Sequence, residues 1–130
     1  KKVGIEVEFK DINEFQKDSK NDIEIACHIL NIEDRGSLDN ILKTIAKGKS
    51  EYADCLESWK KCLEEKGEKV SDTIFTKFWV NNYLRFDTCD KEEQKKSSKK
   101  CNFEKALEKD FWDFEHKSLD SLKDFLKLFQ

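Results

Sequence analysis

Apolar and polar positions change their period early in this chain. Val3, Ile5, Val7 and Phe9 alternate with polar neighbours, which is the period-two pattern of a strand. No second candidate strand is visible to pair with it, so this segment is expected as a short extended N-terminal arm or a first helical turn, with true strand pairing as the alternative. From Asp11 the spacing becomes helical. Ile12, Phe15, Ser19, Ile23, Cys27 and Leu30 form one stripe that ends near Asp34, Arg35 and Gly36, and a first helix is predicted there.

Ser37 then offers a hydroxyl to the free N–H groups of a second helix, whose stripe is Leu38, Ile41, Leu42 and Ile45 and whose end is Gly48. Ser50 opens a third, with Tyr52, Cys55, Leu56, Trp59, Cys62 and Leu63 on one face until Gly67. Ala53 stands where an acid would complete a capping box. Ser71 starts a fourth, carrying Ile74, Phe75, Phe78, Trp79, Asn82, Tyr83 and Phe86. This is the most aromatic face and the expected central helix. Residues 90–100, DKEEQKKSSKK, have no apolar content and read as an exposed helix or loop between Cys89 and Cys101. Asn102 caps a last helical region through Phe103, Ala106, Leu107, Phe111 and Phe114, bending near Ser118 into Leu119, Leu122, Phe125, Leu126 and Phe129. The chain has no proline to interrupt these runs. The expected fold class is all-α, a compact disulfide-stapled bundle of five to six helices, with residues 1–130 forming one domain.

Composition narrows the function classes. Charged residues make up 41% of the 130 positions, yet the net charge is only -3, so no strong pull toward nucleic acid or anionic membrane is expected. Arginine is confined to Arg35 and Arg85, which argues against phosphate or base reading. No apolar run reaches the roughly 20 residues that span a bilayer, so no membrane insertion is expected. The opening KKVGIEVEFKD carries no signal-peptide core, and a secreted protein of this sequence is expected to have lost its leader. There is no Asn-x-Ser/Thr acceptor for N-glycosylation.

The five cysteines, Cys27, Cys55, Cys62, Cys89 and Cys101, are the strongest compartment signal, since disulfides persist outside the reducing cytosol. Cys55 and Cys62 lie two turns apart on one helix, about 10.5 Å, beyond the roughly 4.4 to 6.8 Å that a disulfide bridges. Each must look to another element. Bonds from Cys55 and Cys62 to Cys89 or Cys101 and to Cys27 are favoured, with one cysteine left over and the connectivity open.

Candidate chemistry is sparse. His28 follows Cys27 directly, but helix neighbours point about 100° apart and make no Cys–His pair. His116 has only Glu115 and Asp120 as surface partners. No CxxC or short His spacing points to zinc, and no phosphate-binding glycine loop is present. No catalytic residue, cofactor or metal is expected, and the protein is read as not an enzyme. Lys91, Lys95, Lys96, Lys99 and Lys100 form a basic patch, diluted by Glu92 and Glu93, that could steer an acidic protein or a sulfated polysaccharide. Trp59, Phe75, Phe78, Trp79, Tyr83 and Trp112 could line a cavity for a small hydrophobic ligand, although packed aromatics are more often simply core.

The segments SEYADCLESWKKC and DTCDKEEQKKSSKKCNFEKAL carry a resemblance. A Cys, a lysine-rich spacer, then a Cys followed by an amide residue and Phe resembles the helical C-terminal domain of the mosquito thirty-kilodalton salivary allergens, the aegyptin-like anti-platelet family with its smaller complement-inhibiting relatives. The resemblance runs from about residue 11 and carries over Cys89, Cys101 and the core position Phe103. It implies a secreted, extracellular salivary protein, a non-enzymatic inhibitor of host haemostasis or complement that binds a host extracellular protein. An extracellular carrier of a small hydrophobic ligand is the alternative.

Overall fold

The computed structural model describes residues 11–18, 20–32, 36–96 and 101–130. The alternating segment at Val3–Phe9 lies outside them. Two strands come first, β1 (Phe15–Asp18) and β2 (Ile23–Ala26), antiparallel with Phe15 opposite Ala26 and Asp18 opposite Ile23. Six α-helices follow among the described residues: α1 (Leu38–Ile45), α2 (Cys55–Glu65), α3 (Asp72–Asn82), α4 (Lys91–Lys96), α5 (Phe103–Glu108) and α6 (Asp120–Lys127). The protein is therefore mostly helical and not purely all-α.

The hairpin corrects the helix predicted from Asp11 to Leu30. The helical stripe there depended on Ser19 as a neutral member, inside a stretch, DSKND, that is rich in turn residues. Asp18 organises the reversal. Its carboxylate accepts from the Lys20 N–H at 3.0 Å and the Asn21 amide at 2.5 Å, and its carbonyl accepts from the Asp22 N–H. Asp22 takes the left-handed conformation, φ 50°, which Asp tolerates better than most residues. The β-branched Ile23 and Ile25 then suit a strand better than a helix.

The helical caps follow the sequence more closely. Ser37, Ser71 and Asn102 each accept a backbone N–H three residues on, from Asn40, Ile74 and Lys105. Gly67, at φ 84°, ends α2 while Glu68 N–H reaches back to the Leu63 carbonyl, an arrangement that only a left-handed residue permits. The expected fourth helix runs into a π-helical turn, Tyr83–Asp87.

The core is built on α1, α3 and the segment after α5. Ile41, Leu42 and Ile45 of α1 pack with Phe75, Trp79, Val80, Tyr83 and Leu84. Trp112 enters from the other side and donates its indole N–H to the Ala106 carbonyl at 2.7 Å. The long C-terminal helix expected from Asn102 is broken here. Residues beyond Lys109 turn extended so that Ala46 and Trp112 form a β-bridge. Lys47 N–H donates to the Phe111 carbonyl and Asp113 N–H to the Ile45 carbonyl. Burying Trp112 with its N–H satisfied outweighs continuing the helix. His116 then caps a 3-10 turn, Lys117–Leu119, that leads into α6.

Candidate binding surfaces

Cys89 and Cys101 are joined, with Cα atoms 6.1 Å apart. Cys27, Cys55 and Cys62 are free thiols, the last two exposed. This corrects the favoured pairing of Cys55 and Cys62 with Cys27, Cys89 or Cys101. α2 carries both thiols on a side turned away from the core, while Cys89 and Cys101 are buried. Three cysteines, not one, stand outside the disulfide.

The disulfide closes the segment that holds the basic patch. α4 starts on Asp90, whose carboxylate accepts from the N–H groups of Glu92 and Glu93 at 2.8 Å, and these bonds hold it below its ordinary pKa. Lys109 reaches across to Glu93 at 2.7 Å and to the Thr88 carbonyl at 2.7 Å. The Arg85 guanidinium donates to the Gln94 carbonyl at 2.9 Å. Lys91, Lys95 and Lys96 lie exposed on this fastened helix. Lys99 and Lys100 fall outside the described residues.

Glu93 also approaches the two sulfurs, and one ligand atom from each of Cys89, Glu93 and Cys101 lies within 4.8 Å of the others. Joined in a disulfide, the sulfurs offer no thiolate to a cation. Lys109 already neutralises Glu93 and lowers its pKa.

The six aromatic residues proposed as a cavity lining separate into two groups. Phe75, Trp79, Tyr83 and Trp112 are buried; Trp79 stacks on Tyr83 at 5.1 Å, and Tyr83 meets Trp112 edge-on at 5.3 Å. The Tyr83 hydroxyl is shared between the Lys47 carbonyl at 3.2 Å and the Phe111 carbonyl at 3.1 Å. Its burial pushes the phenol up to about 12. Trp59 and Phe78 instead form an exposed pair at 5.3 Å, and Tyr52 and Phe86 form a second at 5.1 Å. A depression of about 560 Å³ lies elsewhere, lined by Lys60, Glu64, Gly67, Val70 and Asp72 among others.

The histidines take small structural roles. His28 Nδ1 bonds the Asn13 side chain at 2.7 Å and its ring stacks on Phe125 at 5.1 Å. His116 Nδ1 faces the Ser118 hydroxyl at 2.8 Å. Sequence reasoning missed one polar constellation. Ser50 is buried, donates to the Asp87 carboxylate at 2.7 Å, and accepts from the Ala53 N–H at 2.7 Å. Burial raises the Asp87 pKa, and the negative charges of Asp54 and Glu51 add to that. The only signal in the sequence was Ser50 as a cap.

No helix among the described residues is long and apolar enough to cross a membrane. Comparison with protein-family models, curated proteins and solved structures gives no match.

Proposed function

We propose that this protein is a secreted, non-enzymatic binding protein acting through protein–protein contact, an inhibitor of host haemostasis or complement of the salivary type its sequence resembles. The observation that carries this reading is the Cys89–Cys101 bond. It closes the same Cys, lysine-rich spacer and Cys-Asn-Phe segment on which the resemblance rests. A disulfide favours an oxidising compartment, and it fixes Lys91, Lys95 and Lys96 on a short helix braced by Lys109 and Arg85. A cationic surface held in this way speeds encounter with an acidic partner and leaves less chain to be ordered on binding.

Surface binding to immobilised collagen, coagulation, platelet and complement proteins tests the proposal. One of these is expected to bind with an association rate that falls as salt rises. The K91E/K95E/K96E variant should lower that rate by about tenfold or more. Lack of binding across the panel, or an unchanged rate in the variant, would overturn it. A stoichiometric hydrophobic ligand in native mass spectrometry would favour a carrier instead.

A further inference from the structure

We propose that the exposed flank of α2 is a self-association face, on which two copies of this chain pair antiparallel and become joined by two disulfides. Each bond links Cys55 of one copy to the partner subunit's Cys62. The thiols point the same way, because seven residues fall only about 20° short of two full helical turns. They are too far apart to bond each other within one helix. Both are exposed, and α2 buries none of its residues. Trp59 lies between them in sequence, resting on Phe78 at 5.3 Å with about 41% of its surface still open to a partner.

The spacing is self-complementary. A two-fold axis passing between Ser58 and Trp59 places Cys55 opposite the partner's Cys62, and Cys62 opposite the partner's Cys55. Such an isologous contact needs no second surface. Charge selects the same direction. Asp54 on one side of the seam comes beside the partner's Lys61, and the two Trp59 rings meet near the axis. A parallel pairing would instead bring together Glu51 and Asp54 of both copies, just ahead of α2. It would also align two helix dipoles that antiparallel packing opposes.

The oxidant is a low-molecular-weight disulfide such as glutathione disulfide. One thiolate attacks it, forming a protein–glutathione mixed disulfide and releasing one glutathione. The facing thiolate of the other copy displaces the second glutathione and closes the protein–protein bond. Each bond formed oxidises two protein thiols, reduces one glutathione disulfide to two glutathione molecules, and transfers both thiol protons to them.

The test is incubation of the whole chain with glutathione disulfide, followed by light scattering and disulfide mapping of peptides. Twice the chain mass of 15.4 kDa is expected, with Cys55–Cys62 as the cross-link and reversal by reductant. The C55S and C62S variants, each alone, should lose most of the dimer, because an antiparallel register keeps like cysteines apart. Mixed together they should recover one linked heterodimer. A chain that stays monomeric as glutathione adducts, a bond from either thiol to Cys27, or ready homodimers of either single variant would overturn the proposal. Both substitutions fall on exposed positions, and the map of the unaltered chain stands without them.

Discussion

Asp87 is a carboxylate placed where its charge is poorly solvated. The Ser50 hydroxyl donates to it at 2.7 Å, and Asp54 and Glu51 repel it. The folded-state pKa is raised, so the native chain holds this proton more tightly than the unfolded chain. Stability from this group is present at acid pH and is lost as pH climbs from the ordinary carboxylate value through the raised one. D87N keeps an oxygen for Ser50 and removes the charge. It should melt higher than the unaltered protein at pH 7, with the gap closing toward pH 4, as followed by circular dichroism. Tyr83 gives the corresponding alkaline effect. Its phenol ionises near 12 rather than near 10, so stability should fall as pH rises from about 10 toward 12. In Y83F the late-ionising phenol should vanish from an ultraviolet titration. Loss of the bonds to the Lys47 and Phe111 carbonyls should cost about 1 kcal/mol in denaturant melts.

Among the elements, α2 is lightly anchored and buries none of its residues. Its inward contacts include partly buried Leu56 and Leu63, the Trp59–Phe78 ring pair, and two ion pairs, Lys43–Glu57 at 3.2 Å and Lys60–Asp72 at 2.8 Å. Both lysines also sit over the Phe75 ring, at 4.8 and 5.0 Å. Contacts of this kind weaken with salt, whereas burial of Ile41, Leu42 and Ile45 in α1 does not. Amide exchange should therefore be faster in α2 than in α1 or α3, and added sodium chloride should widen the difference. The elements also differ in how readable they were. Caps at Ser37, Ser71 and Asn102 and the stop at Gly67 are local chemistry, and the structure uses each as expected. The hairpin was hidden because Ile12, Phe15, Ile23 and Cys27 fit a helical stripe and a strand pair alike. Only the Asp18 turn decides between the two. The break after α5 depends on Ala46, more than sixty residues earlier, so no local pattern around Trp112 could announce it.

At the scale of the molecule, cysteine spacing excluded a Cys55–Cys62 bond within α2 but did not identify which sulfurs meet. That depends on how α3 continues into its π-turn and brings Cys89 back toward the start of α5. The aromatic stripe of α3 was likewise legible as a core, and its division into buried and exposed rings was not. The staple spans 12 positions. The chain-entropy model gives such a loop a stabilisation of about 3 kcal/mol. C89S/C101S should show a loss of that size in chemical denaturation, together with faster amide exchange across α4. Equal stability in the two proteins would mean that Lys109 and Arg85 alone hold the segment.

The contact between the hairpin and α6 has a practical side. Phe15 meets Phe129 edge-on at 5.1 Å, and His28 lies on Phe125 at the same distance. Positions far apart in the covalent order thus share one pole. The hairpin is tethered through its rings to a helix about a hundred residues on, and F129A should quicken amide exchange at Phe15 as well as in α6.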